Sequence, residues 1–169
     1  MPVMINEFSS FLNQRFSDEK KRLETLLPSS VRIEHVGSTA VGIGGKNIVD
    51  ILIGVSDTKQ MKEIRNILTK NGYYNGRNNH DDRIFLASCE EETGEGDFHV
   101  HICLVSGNTY KDFIILRNYL LDNPEKANEY FSKKQQFAKE PNYDREKYKT
   151  LKSDYVSRLL TEAKRNSDS

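Results

Sequence analysis

Two cysteines, Cys89 and Cys103, are all that the 169 residues contain, too few for a disulfide framework and consistent with a reducing compartment. Neither charge sign is in excess: 25 Lys and Arg balance 25 Asp and Glu, so no global field draws the chain toward nucleic acid or acidic membrane. A polyanionic partner must therefore be met by a local cluster of bases. No run of ~18 apolar residues occurs, and the amino terminus "MPVMINEFSSFLNQ" lacks a basic segment followed by an apolar core. These absences argue against an export signal and a membrane span, and make the cytoplasm the expected location. There is also no internal repeat or low-complexity block. The remaining composition, 36% hydrophobic and 30% charged, suffices for one compact domain with its own core.

Periodicity predicts the elements. Over residues 6–27, Phe8, Leu12, Phe16, Leu23 and Leu27 recur at helical spacing, and Pro28 ends the run. "VRIEHVG" reads as a strand, and "NIVDILIGV", beyond a Gly-rich turn, as a second strand apolar enough for burial on both faces. "DTKQMKEIRNILTKNG" predicts a crossover helix capped by Asp57 or Thr58 and stopped by Gly72. Residues 83–89 and 97–105 predict a hairpin around an acidic turn, preceded by an irregular loop over residues 73–82. Asn108 is expected to cap "TYKDFIILRNYLLDN", Pro124 to start "PEKANEYFSKKQQFAKE", and Asp144 to open a last helix beyond a soft hinge at residues 139–144. The fold class is α/β (α+β), a small mixed sheet flanked by helices. Residues 1–107 form the sheet and its helices, 108–165 a helical part packed on it as one compact unit, and 166–169 a frayed tail.

Chemistry concentrates around "IEHVGSTAVGIGGKNIVDILIGV". A strand ending in Gly37-Ser38 offers backbone N–H groups and a hydroxyl without a bulky Cβ, which suits close approach of a phosphate. Asp50 opens a buried strand, where a carboxylate is costly unless a cation or several donors meet it. His99 and His101 alternate along "FHVHICL" and so share a face with Cys103, able to reach Asp50 as acid/base groups or metal ligands, or to hydrogen-bond the following helices. Lys46, Arg83, Arg117 and Lys152 are the candidate phosphate-binding bases, since Arg presents a fork to phosphoryl oxygens and Lys a point charge. Arg117, within "FIILRNYLL", is expected to be partly buried and paired, with Glu34 or Asp50 as the intramolecular alternative to a ligand anion. His35 reads as a structural histidine. Lys133, Lys134 and Lys139 read as a solvated helical face.

The strings "IEHVGSTAVGIGGKNIVDILI", "FHVHI", "LRNYLLDNPEKANEYFSKK" and "YKTLKSDYV" resemble the GrpB family, a branch of the nucleotidyltransferase fold shared by the DNA polymerase beta superfamily, over residues 33–163. The resemblance implies a nucleotidyltransferase-like sheet with a cleft at the Gly-Ser turn. Fusion of related domains to dephospho-coenzyme A kinases makes a coenzyme-linked ligand part of what it implies. Two departures stand out. Family members often carry Pro directly after the lysine, where this chain has Asn47. Active superfamily members pair two acids on alternate residues of the metal strand, where this chain has Asp50 and Leu52.

Three readings follow, and the residues alone leave open whether the protein is an enzyme. The first is nucleotidyl transfer from a nucleoside triphosphate to an unknown acceptor, with Asp50, His99 and His101 as catalytic groups holding Mg²⁺, Mn²⁺ or a transition metal. The second is a binding module for a nucleotide, a coenzyme A fragment or another phosphorylated small molecule, using Gly37, Ser38, Lys46, Arg83, Arg117 and Lys152. The third is a transition-metal site on Asp50 and the two histidines. No membrane or strong nucleic-acid signal accompanies them, and oligomeric state is not readable.

Overall fold

The computed structural model describes residues 5, 7–77, 79–90, 96–139 and 145–167. Most of the acidic turn expected between residues 89 and 97, most of the expected hinge, the opening Asp144 and the last two residues lie outside that set.

A five-stranded sheet forms the centre, in the order β1-β2-β5-β4-β3. β1 (Arg32–Val36) runs antiparallel to β2 (Val49–Val55), which pairs in parallel with β5 (Phe98–Leu104). β4 (Arg83–Ala87) is antiparallel to β5, giving the expected hairpin and a mixed sheet. Tyr74–Asn75 pairs with β4 as a short β3, and Tyr73 is buried, so the segment read as irregular begins inside the fold. Tyr73 anchors it, while Tyr74 is exposed.

The two faces of β2 differ in kind. Val49, Ile51, Ile53 and Val55 join one core with Leu12 and Leu23 of α1 (Phe11–Leu26) and Met61, Ile64 and Leu68 of α3 (Thr58–Thr69). Asp57 caps α3 by accepting from Gln60 N at 2.8 Å, as the Asp-Thr pair predicts. On the opposite face Leu52, with no exposed surface, packs with Val36, Cys103 and Tyr110.

α4 (Asn108–Asp122) packs on that second face, and α5 (Pro124–Ala138) and α6 (Arg145–Ser167) pack on α4 and on each other. Gly107, not Asn108, is the N-cap of α4, because the extended backbone that precedes a helix falls there and Asn108 is already in the first turn. α6 runs through Ser167, so the helix persists into the segment expected to fray. A separate apolar cluster of Tyr119, Leu120, Ala127, Tyr130, Leu159 and Ala163 joins the three helices to one another. No described helix is long and apolar enough to cross a membrane.

Candidate functional site

Gly37 and Asp50 meet because β1 and β2 are neighbours in register, with Val36 opposite Asp50. Gly37 starts the single-turn helix α2 (Gly37–Ala40) at φ +77°, and a Cβ there would lie 2.6 Å from Asp50 Oδ2. Only glycine gives both the left-handed backbone and the room for the carboxylate. Asp50 Oδ1 faces His101 Nε2 at 3.2 Å and His99 Nδ1 at 3.8 Å, the two imidazoles coming from β5 directly alongside. His101 is held between the rings of Phe85 and Phe113, with centroids at 5.3 and 4.7 Å. Burial works to raise the Asp50 pKa, but the hydrogen bond and charge of His101, then His99 and Lys152, outweigh it and hold the carboxyl below its usual range. The convergence expected of Asp50, His99 and His101 is present.

Around this group opens a cavity of about 360 Å³. Of the phosphate-binding candidates, Gly37, Ser38, Lys46, Arg117 and Lys152 line it. Arg83 does not: it begins β4 opposite Cys103, at the far end of the ladder from His99. Arg117 reaches the cavity already engaged, donating to Glu34 Oε2 at 2.7 Å and to the carbonyl of His35 at 3.1 Å. His35 lies on the other face of the sheet, stacked on Phe16 at 4.3 Å and bonded to Thr39 Oγ1 at 2.7 Å. Burial, partly offset by Asp50, pushes its pKa down to about 4, so it is a neutral structural histidine. Cys103 is likewise no nucleophile, because burial pushes its thiol up to about 12.

The main correction concerns Lys134. It is not on a solvated face but 4% exposed, its Nζ 2.5 Å from Ser38 Oγ. Burial, with the charges of Lys152 and Lys46 outweighing the pull of Asp50, pushes its pKa down to about 7. A signal for this was present. Ala127, Tyr130, Phe131 and Phe137 mark the apolar stripe of α5, and Lys134 sits within it, four residues beyond Tyr130. Tyr130 and Tyr148, both buried, add aromatic surface beside it.

The donor set does not fit a resident divalent cation. Mg²⁺ prefers a cage of oxygens, and the position that would supply a second carboxylate is Leu52, sealed in apolar packing. Among the described residues no group of three or more His, Cys, Asp or Glu side chains could hold a metal ion. His101 Nδ1, where a metal-ligating imidazole normally has an outer acceptor, is buried without a partner among them.

Asn47 explains the other departure. It adopts φ 63°, a conformation that proline, locked near −65°, cannot reach, and Arg15 bonds its carbonyl at 3.0 Å. That bond ties the loop to α1.

Comparison with known proteins matches this architecture. The family model described as GrpB protein matches residues 2–162. Glutamate-rich protein GrpB of Alkalihalophilus pseudofirmus is 33% identical over 165 residues, covering 95% of each chain. A UPF0157 protein of Deinococcus radiodurans is 32% identical over 152 residues, covering 88% of this chain and 76% of that one. Among solved structures, conserved protein GrpB from Enterococcus faecalis overlays with a TM-score of 0.83 at 25% identity, over 98% of this chain and 100% of that one. Matched nearly end to end in sequence and in fold, the chain belongs to the GrpB family.

Proposed function

We propose that the protein binds a phosphorylated small molecule with an apolar or aromatic portion, of the nucleotide or coenzyme A-related class, without a resident metal. One observation carries this reading. In a chain with no net charge, Lys46 and Lys152, beside the buried Lys134 and the Glu34-paired Arg117, line a cavity in which Asp50 is the one carboxylate among the described lining residues. Such a local excess of cations attracts a polyanion. Ser38 adds a hydroxyl, and Phe113, Leu116, Leu120, Tyr130 and Tyr148 offer the apolar wall that small-molecule sites commonly present. Metal-dependent nucleotidyl transfer is the weaker reading, because Leu52 leaves the metal strand with one acid.

Thermal shift with ATP, coenzyme A, dephospho-coenzyme A and pyrophosphate, each with EDTA or with Mg²⁺, tests it. Free ligand at ~100 times its dissociation constant stabilises by ~2.7 kcal/mol, so binding is visible as a clear rise in Tm. The expected result is a shift in EDTA that weakens with salt and is lost in Lys152→Ala. A shift seen only with Mg²⁺ favours nucleotidyl transfer instead, and no shift with any of the four ends the phosphate reading.

A further inference from the structure

The contact between Lys134 and Ser38 has features that phosphate binding does not require. An ammonium removed from water normally takes a carboxylate partner. Among the described residues, Lys134 Nζ has instead the Ser38 hydroxyl at 2.5 Å and the face of Tyr130, its ring centroid 5.1 Å away. With its pKa pushed down to about 7, a large share of Lys134 is the free amine at neutral pH. The same contact then serves in either direction: the ammonium donates to Oγ, and the amine accepts the Oγ–H. Space has been left beside the pair. A Cβ at Gly45 would lie 3.1 Å from Nζ and 3.8 Å from Oγ. Ser38 itself is only half-buried and lines the cavity, where a substrate can reach it.

We propose that Ser38 and Lys134 form a nucleophile and general-base pair that cleaves carboxylic esters or thioesters. Ser38 Oγ adds to the carbonyl carbon while its proton passes to the Lys134 amine. The tetrahedral intermediate collapses, the bond to the leaving oxygen or sulfur breaks, and the leaving group takes the proton from Lys134. Water, deprotonated by the same amine, then attacks the acyl-Ser38 ester, releasing the carboxylic acid and restoring the hydroxyl. Lys152 and Lys46 line the same cavity and supply positive charge toward the oxyanion. Carbonyl addition develops one negative charge and needs no paired carboxylates for metal, which suits a site with Leu52 at the second acid position. That the natural ester carries an anionic group rests on the phosphate-binding reading. The reactivity of Ser38 does not.

The experiment uses a neutral ester, 4-nitrophenyl acetate, with the full chain. Release of 4-nitrophenolate is followed, and intact mass with peptide mapping locates the acetyl group. The expected product is acetyl-Ser38. Ser38→Ala forms no acyl-enzyme and loses turnover, and Lys134→Met lowers acetyl-Ser38 formation and turnover by roughly a hundredfold, the usual scale of a lost general base. Lys134→Arg keeps the charge but cannot accept a proton at neutral pH, and it is equally inactive while its Tm shows that it folds. The rate rises with pH through about 7 and levels off above it, as the amine loses its proton. The charged groups that act on Lys134 are Lys152, Asp50 and Lys46, the ring of Tyr130 lies against it, and Tyr148, Arg117, His99 and His101 are the other titratable groups lining the cavity. The profile is therefore repeated in His99→Gln and His101→Gln, where the midpoint persists. Acetylation that Ser38→Ala leaves unchanged, or a folded protein with no acetyl on Ser38, overturns the proposal. A protein that shifts with nucleotide yet leaves Ser38 unmodified overturns the nucleophile–base pair and leaves the binding reading standing.

Discussion

Gly37 holds the site open. Its positive φ turns the chain from β1 into α2, and its missing Cβ lets the Asp50 carboxylate settle against the backbone. Gly37→Ala places a methyl 2.6 Å from Asp50 Oδ2 and strains a left-handed residue. It should destabilise by about 1–3 kcal/mol and displace Asp50 from His101. Urea unfolding reads the first effect and the NMR chemical shifts of the His101 ring the second. Unchanged values for both would mean that the carboxylate does not rest on this glycine. Other residues were legible to different degrees. Asp50, His99 and His101 could be brought together on paper because strand alternation fixes which side chains share a face, and adjacent parallel strands do the rest. Lys134 was hidden by its own chemistry. A lysine on a charged helix usually reaches solvent, and only the packing of α5 over Ser38 removes that option.

At the scale of elements, α4 is seated over a strand glycine. Gly54 of β2 lies under Tyr110 of α4, so a Cβ there would stand 2.7 Å from a ring carbon and 2.9 Å from Val105 Cγ2. Gly54→Ala should therefore cost about 1–3 kcal/mol by overpacking and lift the helix that carries Phe113 and Arg117 to the cavity. A lower urea midpoint together with a weakened nucleotide shift is the expected result. Full stability in this variant would show that α4 is not held on β2 at this point. α4 and α5 meet at Asn123-Pro124, where the proline stops one helix and begins the other. That junction was plain from residue types. The depth to which α5 buries its polar residues was not.

Across the whole molecule, buried ionisable groups skew the response to pH. Lys134 is charged in the unfolded chain up to its ordinary 10.5, but in the folded protein only below about 7. Between those values the unfolded state binds more protons, so stability rises with pH by an amount on the order of a few kcal/mol. His35, pushed down to about 4, and Asp50, held below its usual range, act on the acid side. Stability is lost as pH falls below 6.5, where the unfolded His35 takes up its proton, and again as Asp50 is protonated. Tyr73, Tyr130 and Tyr155 are raised by burial, so their contribution is lost at still higher pH. Maximum stability is expected at roughly pH 9–10, above the usual range. Urea midpoints at pH 6, 7.5, 9 and 10.5 test this, with Lys134→Met flattening the rise above pH 7. A wild-type optimum below pH 7.5 would place a charged Lys134 in the folded state.

The amino-acid order alone determined the element sequence apart from the single-turn α2 and the short β3, the mixed sheet, the burial of β2 and the face shared by His99 and His101. Each of these depends on short-range periodicity or on turn residues whose backbone limits are local. It also marked Leu52 as the missing second acid. Only the tertiary structure decided that α5 lays Lys134 on Ser38, that Arg117 is taken by Glu34, that Arg83 stands away from the cavity and that Asn47 bends where proline could not. Those outcomes depend on which solvent each side chain loses when distant segments close over it, and a window of neighbouring residues carries at most a hint of that, as the place of Lys134 in the apolar stripe of α5 does.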